Sequence, residues 1–175
     1  PEEKELYRFG VQQGLSIALN VVTTFVIGLV FRMVPESFLF LAVYIPLRSF
    51  AGGIHAKTAN RCYVYSSFMI IAVLLVIKFF PLGNLICSCL SLLSGIIIFL
   101  LAPVEAEHKK LDEIEYVVYR KRSRIILVAE IIIQFLLSII VSKRFIMCFS
   151  LAFVCLAVVM IAGVVKNRKR NNLIK

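Results

Sequence analysis

Residues 145–165 read FIMCFSLAFVCLAVVMIAGVV, 21 positions without a single charged side chain. As a helix this run is about 31 Å long, the thickness of a bilayer's hydrocarbon core. A soluble core helix needs an apolar stripe on one face, whereas this run is apolar all round. Working outward, similar runs recur along the chain. The spans read as about 15–31, 37–47, 63–80, 82–102, 125–142 and 145–165. The expected fold is therefore all-α, a polytopic membrane protein with about six transmembrane helices in one bundle. Composition agrees: 61% of the 175 residues are hydrophobic and the mean hydropathy is +0.94, well above soluble domains. No linker, repeat or low-complexity tract divides the chain, so 1–175 is expected to be a single integral membrane domain.

The opening segment PEEKELYRFGVQQG is charged and does not read as a signal peptide, so the first apolar run is expected to be a retained span. The second span is short: its uninterrupted apolar core, SFLFLAVYIPL, has 11 residues. Either Pro35, Glu36 and the residues after Leu47 also lie within the membrane boundary, or the segment is re-entrant. Irregular backbone at that depth survives only buried in protein or lining a wet cavity.

Twenty Lys and Arg outnumber ten Asp and Glu. In a membrane protein such an excess reflects topology and anionic headgroups rather than nucleic acid. With six spans, the N-terminus, the 48–62 loop, the 103–124 loop and the C-terminal tail share one side. That side carries sixteen of the basic residues, and Arg32, Lys78, Lys143 and Arg144 lie on the other. The positive-inside rule turns the basic side to the cytoplasm. A re-entrant second segment would break this parity, so the asymmetry favours a true crossing.

One polar, glycine-bearing stretch interrupts the first hundred residues: RSFAGGIHAKTANRCYVYSS, 48–67. It holds His55 and Cys62, the one cysteine of five outside an apolar run. A thiol becomes a nucleophile on ionisation, and an imidazole can take its proton. Seven residues on a straight helix rise about 10.5 Å, so the chain between the two must fold back. Gly52 and Gly53 make a tight turn cheap just upstream, and Thr58 or Asn60 can cap the following helix. With Asn60 as the cap, Cys62 lies in the first turn. There the helix dipole and Arg61 favour the thiolate, and free N–H groups can hold an oxyanion. Arg48 can bind a carboxylate or orient a neighbour. Against this stands the ordinary reading of such residues, an inert cysteine and a solvated histidine.

The pattern Arg48, Gly52-Gly53, His55-Ala56, Cys62 resembles the accessory gene regulator protein B family, the membrane peptidases of Gram-positive quorum sensing. The resemblance extends to chain length, the run of spans and LAPVEAEHKKLDEIEYVVYRKRSRI, 101–125, the basic loop after an Ala-Pro. It implies Cys62 as nucleophile and His55 as base, with Arg48 and Gly53 in supporting positions. Asn60 and Ser66 are candidates for a third member. The implied substrate is a short autoinducer precursor peptide that loses its C-terminal part through an acyl-thioester on Cys62. A side chain of the precursor then closes a thiolactone or lactone. No phosphate-binding loop is present, so the thioester itself must conserve the bond energy, and no cofactor is expected. The competing functional classes are an exporter of a small peptide or amphiphile, with the motif as a gate, and a thiol acyltransferase using acyl-CoA.

Other residues weigh less. Glu130 and Gln134 fall at i and i+4 on one face of the fifth span. An intramembrane acid usually faces the bundle interior, either paired there or lining a substrate cavity. Cys87, Cys89, Cys148 and Cys155 sit within spans. There a C-x-C lacks the further ligands a zinc site needs, so no metal is expected and small-residue packing is the better reading. Ser88, Ser91 and Gly95 are candidates for a close helix contact. EAEHKKLDEIEYVVYRKRSR, with His108, reads as an amphipathic segment lying on the headgroups. It can alternatively receive a charged part of the precursor. The tail KNRKRNNLIK is an anionic-lipid anchor. Membrane lipids are thus expected partners, and small residues along the fourth and sixth spans make a homodimer a further expectation.

Overall fold

The computed structural model describes residues 2–53, 59–104 and 112–173. Within these, the side chains at 2–10, 12–13, 15–17, 59–60, 62 and 169–173 lie outside the description. Six helices follow in order: α1 (Glu2–Phe31), α2 (Val34–Ala51), α3 (Ala59–Phe79), α4 (Asn84–Leu101), α5 (Glu113–Ile140) and α6 (Lys143–Leu173). Each contains the greater part of one expected span. Four are long and apolar enough to cross a membrane: α2, α4, α5 and α6 up to Arg168. The apolar parts of α1 and α3, Ala18–Phe31 and Tyr63–Phe79, are shorter.

The helix α2 is continuous over the longer of the two extents expected for the second span. It begins at Val34-Pro35, where a proline costs no hydrogen bond, and Glu36 in the first turn faces the positive end of the dipole. It continues past Pro46 to Ala51, so its 18 residues extend for about 27 Å. Its buried positions Ser37, Phe40, Leu41, Val43, Leu47 and Ala51 recur at helical spacing and form one inward stripe.

At the centre lies α6, which has no exposed residue from Ile146 to Ala157. Ile146, Cys148, Ser150, Phe153, Leu156 and Met160 have no exposed surface. It packs most extensively on α4 and α2. The face that α4 buries is made of small residues, Cys87, Ser91, Ser94 and Gly95, with Ile98 below them. Helices in lipid gain little from hydrophobic transfer, because the tails are as apolar as Leu. Close contact therefore depends on small side chains and interhelical hydrogen bonds. Of the expected contact residues Ser91 and Gly95 are buried and Ser88 is half-buried. Cys87 and Cys148 are buried, Cys155 is half-buried and Cys89 is exposed.

Helix α5 is inverted relative to a soluble amphipathic helix. Its buried stripe is Ser123, Leu127, Glu130 and Gln134, while Ile132, Phe135, Leu136, Ile139 and Ile140 are exposed. Polar groups inward and large apolar groups outward make sense only with lipid as the outer solvent. One expectation is corrected here. The charged segment from Glu113 to Arg124 is the first part of α5 itself, not a separate helix along the headgroups. No glycine or proline lies between Glu113 and Ile140, so nothing breaks the helix before the span begins.

Contacts fix which helix ends belong together. At one end Phe50 of α2 meets Tyr119 of α5 edge to face, and Arg122 lies over the Phe50 ring at 5.4 Å. At the other end Lys78 of α3 lies over Phe31 of α1. There Cys148 Sγ also donates to the Glu36 carbonyl across α6 and α2. The end of α2, the start of α5 and the end of α4 therefore share one pole of the bundle.

Candidate functional site

The chain leaves α2 through Gly52 and Gly53, with φ of 75° and 123°, a region that L side chains rarely adopt. On leaving α4, Ala102 is followed by Pro103, which cannot continue the helix. The two exits meet. Val104 N donates to the Ala51 carbonyl at 2.9 Å, and Gly53 N donates to the Val104 carbonyl at 3.1 Å. The result is a single parallel bridge between Gly52 and Val104. Val104 is buried at 6% exposure, as are Ala51 at 0% and Ala102 at 2%, while Gly52 is half-buried.

Arg48, one turn before the end of α2, closes this turn from the other side. Its Nη1 donates to the Gly52 carbonyl, and a cation in the last turn also suits the negative end of the dipole. The guanidinium occupies the space a Gly53 side chain would need, with Val159 Cγ1 of α6 3.1 Å from the same point. At Gly52 that space is filled by the Val104 carbonyl oxygen, and Val104 C would stand 3.0 Å from an added Cβ. Both glycines are required by backbone conformation and by contact.

Beyond Gly53, His55 lies outside the described residues, as does Thr58. Cys62 lies in the first turn of α3, helical from Ala59, and its side chain is outside the description. Asn60 is itself already in that first turn, so it is not the residue preceding the helix. Ser66 is half-buried one turn further along. Arg48, Gly52 and Gly53 are thus brought into one contact group, and the start of α3 is tied separately to α1. That tie is Tyr63, beside Cys62, whose hydroxyl is 2.5 Å from Thr23 Oγ1.

Gln134 belongs to a different place, the interface of α5 with α6 and α4, and Glu130 is buried one turn before it on the same helix. Gln134 Nε2 donates to Ser150 Oγ at 3.0 Å, and Ser91 Oγ donates to the same oxygen at 2.9 Å. Ser150 in turn donates to the Cys87 carbonyl at 2.9 Å. Three helices are joined through one buried hydroxyl. Glu130 is 8% exposed, and its Oε2 has no hydrogen-bond partner among the described residues. Ser150→Ala is expected to lower stability to unfolding in detergent by about 1–2 kcal/mol. It leaves the Gln134 amide without its acceptor. An unchanged unfolding midpoint would count against this junction.

Several of these participants escaped the sequence. Val104 stands in the 101–125 stretch with nothing to single it out except Pro103 before it. Val159 and Ser150 lie inside an unbroken apolar run. Only Tyr63, adjacent to Cys62, had a positional cue.

Taken together, the chain is an all-α membrane protein. An arginine-gripped Gly-Gly turn leads from one helix toward a cysteine at the start of the next. It belongs to the accessory gene regulator B family, whose model matches residues 1–161. Two AgrB-like proteins of Clostridium perfringens, from strains SM101 and 13, are each 27% identical to it over 115 residues. The match covers 62% of this chain and 54% of each relative, so the chain spans about half the length of those relatives. No solved structure matches it.

Proposed function

We propose that the protein is a membrane-embedded cysteine endopeptidase that removes the C-terminal part of an autoinducer precursor peptide and promotes (thio)lactone closure. The observation that carries this reading is the family match over 1–161, which includes Arg48, Gly52, Gly53, His55 and Cys62 in one motif. The arginine-gripped turn supports it, because such a turn holds the chain's departure toward His55 in one conformation.

In this mechanism His55 takes the proton from Cys62 Sγ, and the thiolate adds to the scissile carbonyl. The dipole of α3 favours the thiolate, and free N–H groups of its first turn suit the oxyanion. The imidazolium returns the proton to the leaving amine, and the C-terminal fragment departs. What remains is an acyl-thioester on Cys62. A Cys or Ser side chain of the precursor attacks that thioester, passes its proton to His55, and leaves as the ring while Cys62 is regenerated. Ring closure outcompetes hydrolysis where water is held off, as at a site set into the membrane face. Orientation follows from charge: the end bearing the site is the basic one and faces the cytoplasm. Membrane lipids surround a single domain, and a homodimer is the proposed assembly.

The test is capture of the intermediate. Purified enzyme mixed with its precursor should yield a peptidyl adduct mapped by mass to Cys62 and released by hydroxylamine. An adduct on another residue would overturn the assignment.

A further inference from the structure

The Gly52-Gly53 turn is held on three sides, and two of these lie outside the motif and far from it along the chain. Arg48 belongs to the helix that the turn ends, and Val159 contributes a methyl group from α6. The third side is main chain: Val104 donates to Ala51 and accepts from Gly53, flanking Gly52 with two hydrogen bonds. Surface turns are usually solvated and variable in position. Here Gly53 is buried and Gly52 half-buried, and there is no room for a side chain on either glycine. His55 follows Gly53 by two residues, a reach of at most about 7 Å. A shift of the turn therefore also shifts the point from which the short chain to His55 departs.

We propose that the main chain of Val104 is a positioning element for catalysis: docked between Ala51 and Gly53, it sets the Gly52-Gly53 turn so that His55 is presented to Cys62. This rests on the cysteine-peptidase reading above. Its physical basis is that proton transfer needs hydrogen-bond reach, and a misplacement of about 1 Å costs on the order of 10²-fold. Val104 never touches substrate. It acts through the turn.

The test uses the full-length enzyme in liposomes. In one variant Val104 is replaced by its α-hydroxy acid, which removes the N–H given to Ala51 and adds no atom elsewhere. In a second, Gly52→Ala drives a methyl group against the Val104 carbonyl. The control, Val104→Ala, keeps both main-chain bonds. The first two are expected to lower kcat about tenfold or more while KM stays within about twofold. The pH profile of Cys62 alkylation by iodoacetamide, read by mass on the Cys62 peptide, should move toward that of an ordinary thiol. Val104→Ala, which loses only side-chain packing, should change both far less than the ester variant does. Should Gly52→Ala fail to fold, the ester variant alone decides.

An ester variant with wild-type kcat and an unshifted alkylation profile overturns the proposal. So does equal loss in Val104→Ala, because side-chain packing would then be the cause. The peptidase reading fails separately. Its failure is a wild-type Cys62 that alkylates like a free thiol, in an enzyme that still cuts after Cys62→Ala.

Discussion

Cys62→Ala is expected to abolish precursor cleavage, with a loss on the order of 10⁴-fold or more, while precursor binding stays within about twofold. The reasoning is that the bond-breaking step runs through the sulfur. Without it neither the acyl-thioester nor the ring it feeds can form, and a neighbouring group cannot substitute. Binding survives because one small side chain is a minor part of the surface that holds a peptide. Cleavage should be followed by mass and binding by fluorescence anisotropy of a labelled precursor, both with enzyme in liposomes. An exporter with a gating motif makes the opposite expectation, because a gate needs shape rather than a nucleophile and would work after Cys62→Ser. Continued cutting by Cys62→Ala would remove the thioester from the mechanism.

His55→Ala is expected to lower kcat on the order of 10²-fold, for want of the base that ionises the thiol and the acid that protonates the leaving amine. Its diagnostic is pH dependence. An unassisted cysteine ionises near pH 8.5, so the residual acylation rate of the variant should climb as pH rises through that value. Wild-type acylation should level off at lower pH, because the imidazole already draws the proton. Single-turnover acylation across pH 6 to 10 separates the two curves. Parallel profiles, whatever their absolute rates, would show that His55 does not govern the ionisation of Cys62.

The membrane class of the protein was legible because its signal is local. Each helix must satisfy its own backbone hydrogen bonds inside lipid, so a long uncharged run such as 145–165 declares itself without reference to any other segment. The inward placement of Glu130 and Gln134 was legible for the same reason: an i, i+4 pair must share a face. The extent of α2 was harder to see, because Pro35, Glu36 and Arg48 interrupt the apolar count although all three lie within one continuous helix. The charged segment 113–124 was misread because amphipathic composition does not reveal whether a helix ends or runs on into a span.

By itself the sequence determined the all-α membrane class and the motif of Arg48, Gly52, Gly53, His55 and Cys62. The need for glycine could be suspected there from a turn. What only the tertiary structure decided is what each glycine faces: Val104 at Gly52, and Arg48 with Val159 at Gly53. It also decided that Gln134, Ser91 and Ser150 meet at a single hydroxyl. These partners lie far apart along the chain, and main-chain hydrogen bonds such as those of Val104 carry no residue signature. Periodicity reports which face of a helix turns inward, but the neighbour on that face depends on how six helices pack, a property of the bundle as a whole.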